Sequence, residues 1–442
     1  MTISRRHLLT GTAAGVAAGS LGAPALLAQS TTQLTFAFAD DESGAIQNLI
    51  DGFNADNDSG IEVTWTKAPE NTDEFFRFLV SDFMAGADDI DFFGSDVIWT
   101  AELAARDWIV DLSQRIYRDL DTSTLLPSAL NSVYHRNRLW AVPWYTDAGM
   151  LFYRSDLLEE AGLEPPETWD DLASAARTIM DANGVANGLV LQGARYEGGV
   201  TNCLEFIWSA GGRAWTPQSE VAGAFGMSVA DPNVIVLNSA DSVMGLSKAR
   251  ELVDTGIVPT EVTTFNERDA LEVFASGDAV FMRNWPFAYG LIGSEEFGPI
   301  TPEQVGVARI PTLRPGRPSY SCLGGWNLAM NARSRSRDAI WEFIQYALEP
   351  AQQRAMAETG GFLPVRAELY EDEELREAVP VIALGDAAVQ SSRSRPISTI
   401  YSLLSIRLAV MFNRILTGEV PAEEAVRQTE RELRNIVAQN RY

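Results

Sequence analysis

Histidine and cysteine are almost absent from this sequence, two of each in 442 residues. Zinc sites, Ser-His-Asp triads and Cys-His dyads draw on these residue types, so most metal-dependent and nucleophilic chemistries lack their raw material. His7 lies in an N-terminal stretch with the marks of a leader, which leaves His135 as the one histidine of a mature chain. A lone histidine cannot supply a multi-histidine metal site, and the flanking Tyr134, Arg136 and Arg138 point to an exposed basic turn. Basic residues are scarce too, 34 Lys and Arg against 60 Asp and Glu, for a formal charge of −26. Such a chain repels phosphate backbones and anionic bilayers, which argues against nucleic-acid and peripheral-membrane partners. Beyond the leader no apolar run reaches the roughly 20 residues of a spanning helix. G-x-S-x-G, Walker-type, H-E-x-x-H and C-x-x-C motifs are missing, as are internal repeats and low-complexity linkers.

What is there belongs to a water-soluble globular chain, 46% apolar and 21% charged, long enough for two or three domains or one large two-lobed body. Residues 1–28 begin with Ser4-Arg5-Arg6-His7-Leu8-Leu9, run through an acid-free Ala/Gly/Leu stretch and end at Ala25-Leu26-Leu27-Ala28. This is the pattern of a cleaved export signal. Its paired arginines resemble a twin-arginine signal, with Sec export left open. No cysteine follows the cleavage point, so no lipid anchor is expected and the mature protein is placed in a periplasm. Cys203 and Cys322 sit in apolar surroundings and are expected to be two buried free thiols.

Alternating and helical periodicities then succeed one another: a strand Leu34 to Ala39, a helix Ala45 to Asn54, a strand Ile61 to Trp65, a helix Phe75 to Met84 and a short strand Ile90 to Phe93. This order predicts βαβ units, a mostly parallel sheet and function in a crevice beyond strand ends. A second block opens at Leu139 to Pro143, passes through Met150 to Tyr153, and includes a helix Trp169 to Ala182 with Thr168 and Asp171 in capping-box spacing. Further helices are expected at Leu204 to Trp208, Ser239 to Thr255, Asp269 to Ser276, Arg337 to Leu348 and Pro421 to Tyr442, with a crossing strand from Val305 to Pro311. Without a linker, the lobes are expected to exchange strands.

Chemistry concentrates at the predicted strand ends and turns. Trp99, Trp144, Tyr145, Trp285, Phe287 and Trp326 all lie beside Gly, Pro, Asp or Asn, and their flat faces suit stacking on the C–H face of a sugar ring. For any one of them alone, packing under a loop is the simpler reading. Glu42, Asp96 and Asp147 each follow an apolar strand, and an ionised carboxylate accepts two hydroxyl hydrogen bonds at once. For any one of them alone, a helix cap or a solvated loop acid is the simpler reading. A pair of acids also leaves a glycoside hydrolase open.

Longer strings decide the family. Val142-Pro143-Trp144-Tyr145-Thr146-Asp147-Ala148-Gly149-Met150-Leu151-Phe152-Tyr153-Arg154, Phe281-Met282-Arg283-Asn284-Trp285-Pro286-Phe287-Ala288-Tyr289, Cys322-Leu323-Gly324-Gly325-Trp326 and Gly360-Gly361-Phe362-Leu363-Pro364 resemble the extracellular solute-binding proteins of sugar ABC importers, in their trehalose/maltose-binding branch. Gln192 to Gly198 resembles that branch as well. The resemblance implies an α/β, two-lobed periplasmic binding protein fold of type II. Its three hinge crossings are expected near Ala141 to Thr146, Gly306 to Thr312 and Glu349 to Gln352. One lobe would comprise 30–144 plus 312–349, the other 147–306 plus 352–442.

The resemblance further implies a monomeric binding protein without catalytic residues, metal or cofactor. It would close on an α-linked disaccharide such as trehalose, maltose or sucrose and deliver it to the transmembrane subunits of an ABC permease. Glu42 and Asp96 would accept sugar hydroxyls, Tyr145 and Asp147 sit beside the hinge, and Trp285 is the stacking platform. Gly324, Gly325 and Trp326 form a loop against the sugar, and Arg395 is a guanidinium donor. Phe287 stands where close relatives can carry Tyr, and Arg77 is displaced from an Arg position of the family. The rival readings are a secreted glycoside hydrolase using Asp/Glu and a binder of non-sugar cargo such as a polyamine or peptide.

Overall fold

Strand and helix alternate at the start of the chain as the periodicity dictates: Thr32–Ala39, Ala45–Asp56, Ile61–Ala68, Thr72–Ala85 and Phe92–Asp96. The computed structural model describes residues 31–217 and 230–440, so the expected leader lies outside the described residues. The helix Ala45–Asp56 buries Ala45, Ile46, Leu49, Ile50 and Phe53, one stripe at helical spacing. Among the described residues no helix is long and apolar enough to cross a membrane.

Two sheets carry the fold. The first has six strands in the order Leu363–Pro364, Val142–Ala148, Leu323–Met330, Phe92–Asp96, Thr32–Ala39, Ile61–Ala68. The second has four, in the order Val305–Ala308, Met150–Arg154, Ala279–Asn284, Asn187–Val190. The expectation of a mostly parallel sheet is corrected: five of the eight pairings within these sheets are antiparallel. The reason is topological. The strands that leave or re-enter a lobe at a crossing run against their neighbours, while the simple βαβ run at the start of the chain stays parallel.

Only Gly149 separates Val142–Ala148 of the first sheet from Met150–Arg154 of the second, so one almost continuous extended segment joins the lobes. A Cβ there would overlap the Glu205 carboxylate and the Arg283 guanidinium, which explains the glycine. The chain returns between Val305–Ala308 and Leu323–Met330. The last passage lies later than Glu349 to Gln352. Leu363–Pro364 still pairs with the first sheet, although the sequence-based division gives residues from 352 onward to the other lobe. The buried Gln353 amide holds it there, donating to the carbonyls of Trp144 and Ala347 at 2.8 and 3.0 Å and accepting from Val365 N at 3.0 Å.

The first lobe is built on an aromatic core in which Phe36, Phe92, Trp144 and Phe343 are fully buried. The second sheet has apolar layers on both faces. Leu151, Leu189 and Phe281 face one layer, Met150, Phe152, Val190 and Met282 the other, as strand alternation requires. The capping box at Thr168 and Asp171 forms as its spacing predicts. Other elements differ from expectation. The polar, glycine-rich stretch Asn183 to Gly199 contains the strand Asn187–Val190, and the helix expected at Leu204 begins at Glu197. Tyr401–Leu416 is a helix that the apolar pattern alone did not single out. Tyr134–His135 is a short strand with His135 half-buried, and the exposed turn falls instead on Arg136 and Asn137, with φ of 50° and 62°. Burial, with Arg136 next, pushes the His135 imidazole below its ordinary range.

Candidate ligand-binding site

Between the two sheets lies a cleft of about 1180 Å³, its open mouth included. It sits where the strands Thr32–Ala39, Phe92–Asp96 and Ala279–Asn284 end, at the carboxyl ends expected for an open α/β sheet. Two helix N-termini frame it by side-chain caps. Asn71 accepts from the Asp73 and Glu74 amides at 3.1 and 3.2 Å, and Asn266 and Asp269 form a reciprocal capping box at 2.8 and 2.9 Å. Such caps contribute about 1 kcal/mol each and fix where Glu70, Glu267 and Arg268 stand.

Glu42, Asp96, Tyr145, Asp147, Trp285, Phe287, Gly324, Gly325, Trp326 and Arg395, the ligand contacts expected from the sequence, all line this cleft. Asp147 is 6% exposed, and its Oδ1 has no hydrogen-bond partner among the described residues. Burial and the neighbouring Asp96 raise its carboxyl well above the usual range. Asp96 accepts from Ile98 N at 3.0 Å and lies 3.7 Å from Arg395 Nη2. Burial pushes its carboxyl up to about 6 against the opposing pull of Arg395, with Glu197 adding to the rise. Arg395 is buried, donates from Nη1 to Glu197 at 2.6 Å and from Nη2 to the Leu323 carbonyl at 3.1 Å, and leaves Nε unpartnered.

The aromatic residues divide between cleft and core. Trp285 is half-buried, its Nε1 donates to Glu267 at 3.3 Å, and the Arg283 guanidinium lies 4.1 Å from its ring centre. Arg283 is in turn locked by Glu205 through two bonds of 2.8 and 2.7 Å, both side chains 2% exposed. Trp326 stacks on Phe75 and meets Phe38 and Trp99 edge-on. Tyr145 packs against Phe362 at 4.6 Å, and Phe287 reaches two of the apolar clusters. Trp99 and Trp144 are buried within the first core, so for these two the packing reading holds.

Glycine is required at Gly325 and tightly favoured at the adjacent Gly324. A Cβ on Gly324 would stand 3.0 Å from the Trp285 ring, and Gly325 has φ 119° with a Cβ position 2.6 Å from the Tyr145 carbonyl. The strand Leu323–Met330 therefore passes closer to the hinge strand than a larger residue at 325 permits, and lies in tight contact with Trp285 at 324.

Glu42 is not a free acceptor: its carboxylate receives the Arg268 guanidinium from the opposite lobe. Glu70, Asn71, Glu197, Thr201, Glu267, Arg268 and Phe362 also line the cleft, and sequence reasoning did not single them out as ligand residues. Glu197 and Phe362 lie inside strings already noted for their resemblance; the helix expected from Asp269 begins at Glu267, and the capping spacing of Asn266 and Asp269 is the signal that would have placed Glu267 in its first turn. Arg77 stands outside the lining, exposed and 3.9 Å from Glu74. Cys203 and Cys322 are free and buried, and burial pushes the Cys322 thiol up to about 12.

The sequence profile of the bacterial extracellular solute-binding proteins matches residues 39–354. A probable ABC transporter-binding protein of Deinococcus radiodurans is 33% identical over 328 residues, covering 73% of each chain. A mannitol-binding protein of Pseudomonas aeruginosa is 23% identical over 93% of this chain and 94% of its own. Among solved structures, maltose-bound MalE3 of T. maritima superposes with a TM-score of 0.83 at 33% identity, over 92% of this chain and all of that one, 100%.

Proposed function

Because the chain belongs to the bacterial extracellular solute-binding protein family, we propose that it is the binding component of an ABC sugar importer and takes an α-linked disaccharide in its interlobe cleft. The observation that carries this reading is the meeting of both lobes on one cleft, where the Asp147 carboxyl, its Oδ1 unpartnered among the described residues, lies beside Trp285 and the Gly324-Gly325 backbone. Carboxylates accept pairs of hydroxyls and indole rings cover the apolar face of a pyranose, which are the two halves of sugar recognition. The similarity to a maltose-bound protein at 33% identity supports the α-glucoside class, with trehalose, maltose and sucrose as candidates.

In this reading Asp96, Asp147 and Arg395 hydrogen-bond the sugar, Trp285, Trp326, Tyr145 and Phe287 enclose it, and Gly324 and Gly325 let the backbone approach. Glu42 acts from the rim. Residues 1–28 export the chain to the periplasm, and the closed lobes present one surface to the transmembrane permease subunits. The protein acts as a monomer without a cofactor. Ligand binding shifts the lobes toward closure and no bond is made or broken. Micromolar affinity corresponds to about −8 kcal/mol, within reach of a few charge-assisted hydrogen bonds and one stacked ring.

A thermal-unfolding scan against trehalose, maltose, sucrose, glucose and spermidine tests the assignment, since a ligand at about 1,000 times its Kd adds about 4 kcal/mol. A rise with an α-linked disaccharide that is recovered intact by chromatography supports it. Release of glucose during the incubation would identify a hydrolase instead.

A further inference from the structure

The charge lining the cleft is lopsided: eight carboxylates from both lobes against the guanidiniums of Arg268 and Arg395. Those two cations are already engaged. Arg268 serves Glu42, Glu272 and Glu296, and Arg395 serves Glu197 and Asp96. Asp40 has Lys67, and Asp41 accepts from Ser43 and Ile46. Asp147 has neither an ion pair nor a hydrogen bond to Oδ1 among the described residues, although it is 6% exposed at the floor of the cleft. Asp96 raises it, and the two guanidiniums that pull the other way, Arg283 and Arg395, are paired with Glu205 and Glu197.

The acids also confront one another across the lobes. Asp73 and Asp96 of the first lobe feel Glu197 of the second, and Asp96 feels Glu267 as well. Without a cation between them these buried acids favour the protonated form, and a cationic ligand would let Asp147 and Asp96 ionise against it. A protonated amine adds three donors and one positive charge, satisfies the orphan oxygen and screens the acids on both sides. The aromatic faces of Trp285 and Trp326 in the same cleft speak for a ring-bearing ligand over a bare ion.

We propose that the preferred ligand is an α-linked saccharide bearing a protonated primary amine, its ammonium seated on Asp147 and Asp96. This rests on the saccharide reading above and narrows its substrate class.

Titration calorimetry at neutral pH on the mature protein compares trehalose and maltose with their 2-amino-2-deoxy analogues and the N-acetylated forms of those analogues, at low and high salt. The expected result is that one amine binds roughly tenfold or more tighter than its parent sugar, and that N-acetylation or added salt removes the advantage. In Asp147→Asn and, separately, Asp96→Asn the ratio of amine to parent affinity falls, with far-ultraviolet circular dichroism checking the fold. Equal or tighter binding of the parent sugars overturns the amine inference and leaves the saccharide reading standing. Silence from every probe overturns both.

Discussion

The Arg268 guanidinium, in the helix Glu267–Ala275, donates to the Glu42 carboxylate in the loop after Thr32–Ala39, tying the two lobes across the mouth of the cleft. Both side chains keep partial exposure, 31% and 25%, so the pair is a moderate tie. Arg268→Ala is expected to weaken ligand binding about three- to tenfold through faster dissociation. Stopped-flow release of a bound sugar measures it, and an unchanged off-rate speaks against a tie between lobes.

Glu205 and Arg283 form a buried bidentate pair beneath Trp285, and Glu205 also accepts from Cys322 N at 2.9 Å. Glu205→Ala leaves a buried guanidinium unpaired and is expected to destabilise by about 3–5 kcal/mol. Urea unfolding reads the loss, and a change under about 1 kcal/mol contradicts the assignment.

At Gly325 a Cβ would meet the Tyr145 backbone, which cannot move aside as a side chain can. Gly325→Ala is expected to destabilise by about 2 kcal/mol or more, with loss of ligand affinity. Gly162 is the control: φ is also positive, 65°, but nothing lies within 4 Å of the added methyl. Gly162→Ala is expected to cost about 1 kcal/mol and to leave binding as it was. Equal effects at the two sites refute the close-approach argument.

Acid titration has a definite sign in the unliganded protein. Asp73 is raised to about 7 by burial and then by Glu197, and Asp96 to about 6 by burial. Unfolded carboxyls titrate near 4, so between about pH 4 and 7 the folded chain holds more protons and stability falls as the pH rises. His135, lowered by burial, acts in the opposite direction as a single group. The acids held low, Asp119 and Asp121 among them, change stability below this window. The thermal midpoint is therefore expected to be higher at about pH 5 than at about pH 7.5, and the difference to shrink in Asp73→Asn. A midpoint that rises with pH over this range runs against the buried-acid account.

The sequence carried much of this in local patterns. Apolar stripes announced the helices Ala45–Asp56 and Arg337–Ala347, and the Thr168-to-Asp171 spacing announced a capping box that forms. The long strings around Trp285 and Gly324-Gly325-Trp326 marked segments that now line one cleft. What stayed hidden depends on distant partners. Leu323–Met330 begins Leu-Gly-Gly, weak strand formers, and becomes a strand because its neighbours Phe92–Asp96 and Val142–Ala148 supply the ladder on both sides. Arg268 and Glu42 lie 226 residues apart, and Gln353 holds residues 363–364 on the first sheet from within a helix. No local periodicity encodes such contacts.

The most direct test is titration calorimetry of maltose and trehalose into the mature protein and into Trp285→Ala, with the sugar recovered afterwards. The account predicts micromolar binding of at least one of them, a loss of about tenfold or more in the variant, and intact disaccharide at the end. Wild-type affinity in Trp285→Ala, or no binding of either sugar to the unaltered protein, would contradict it.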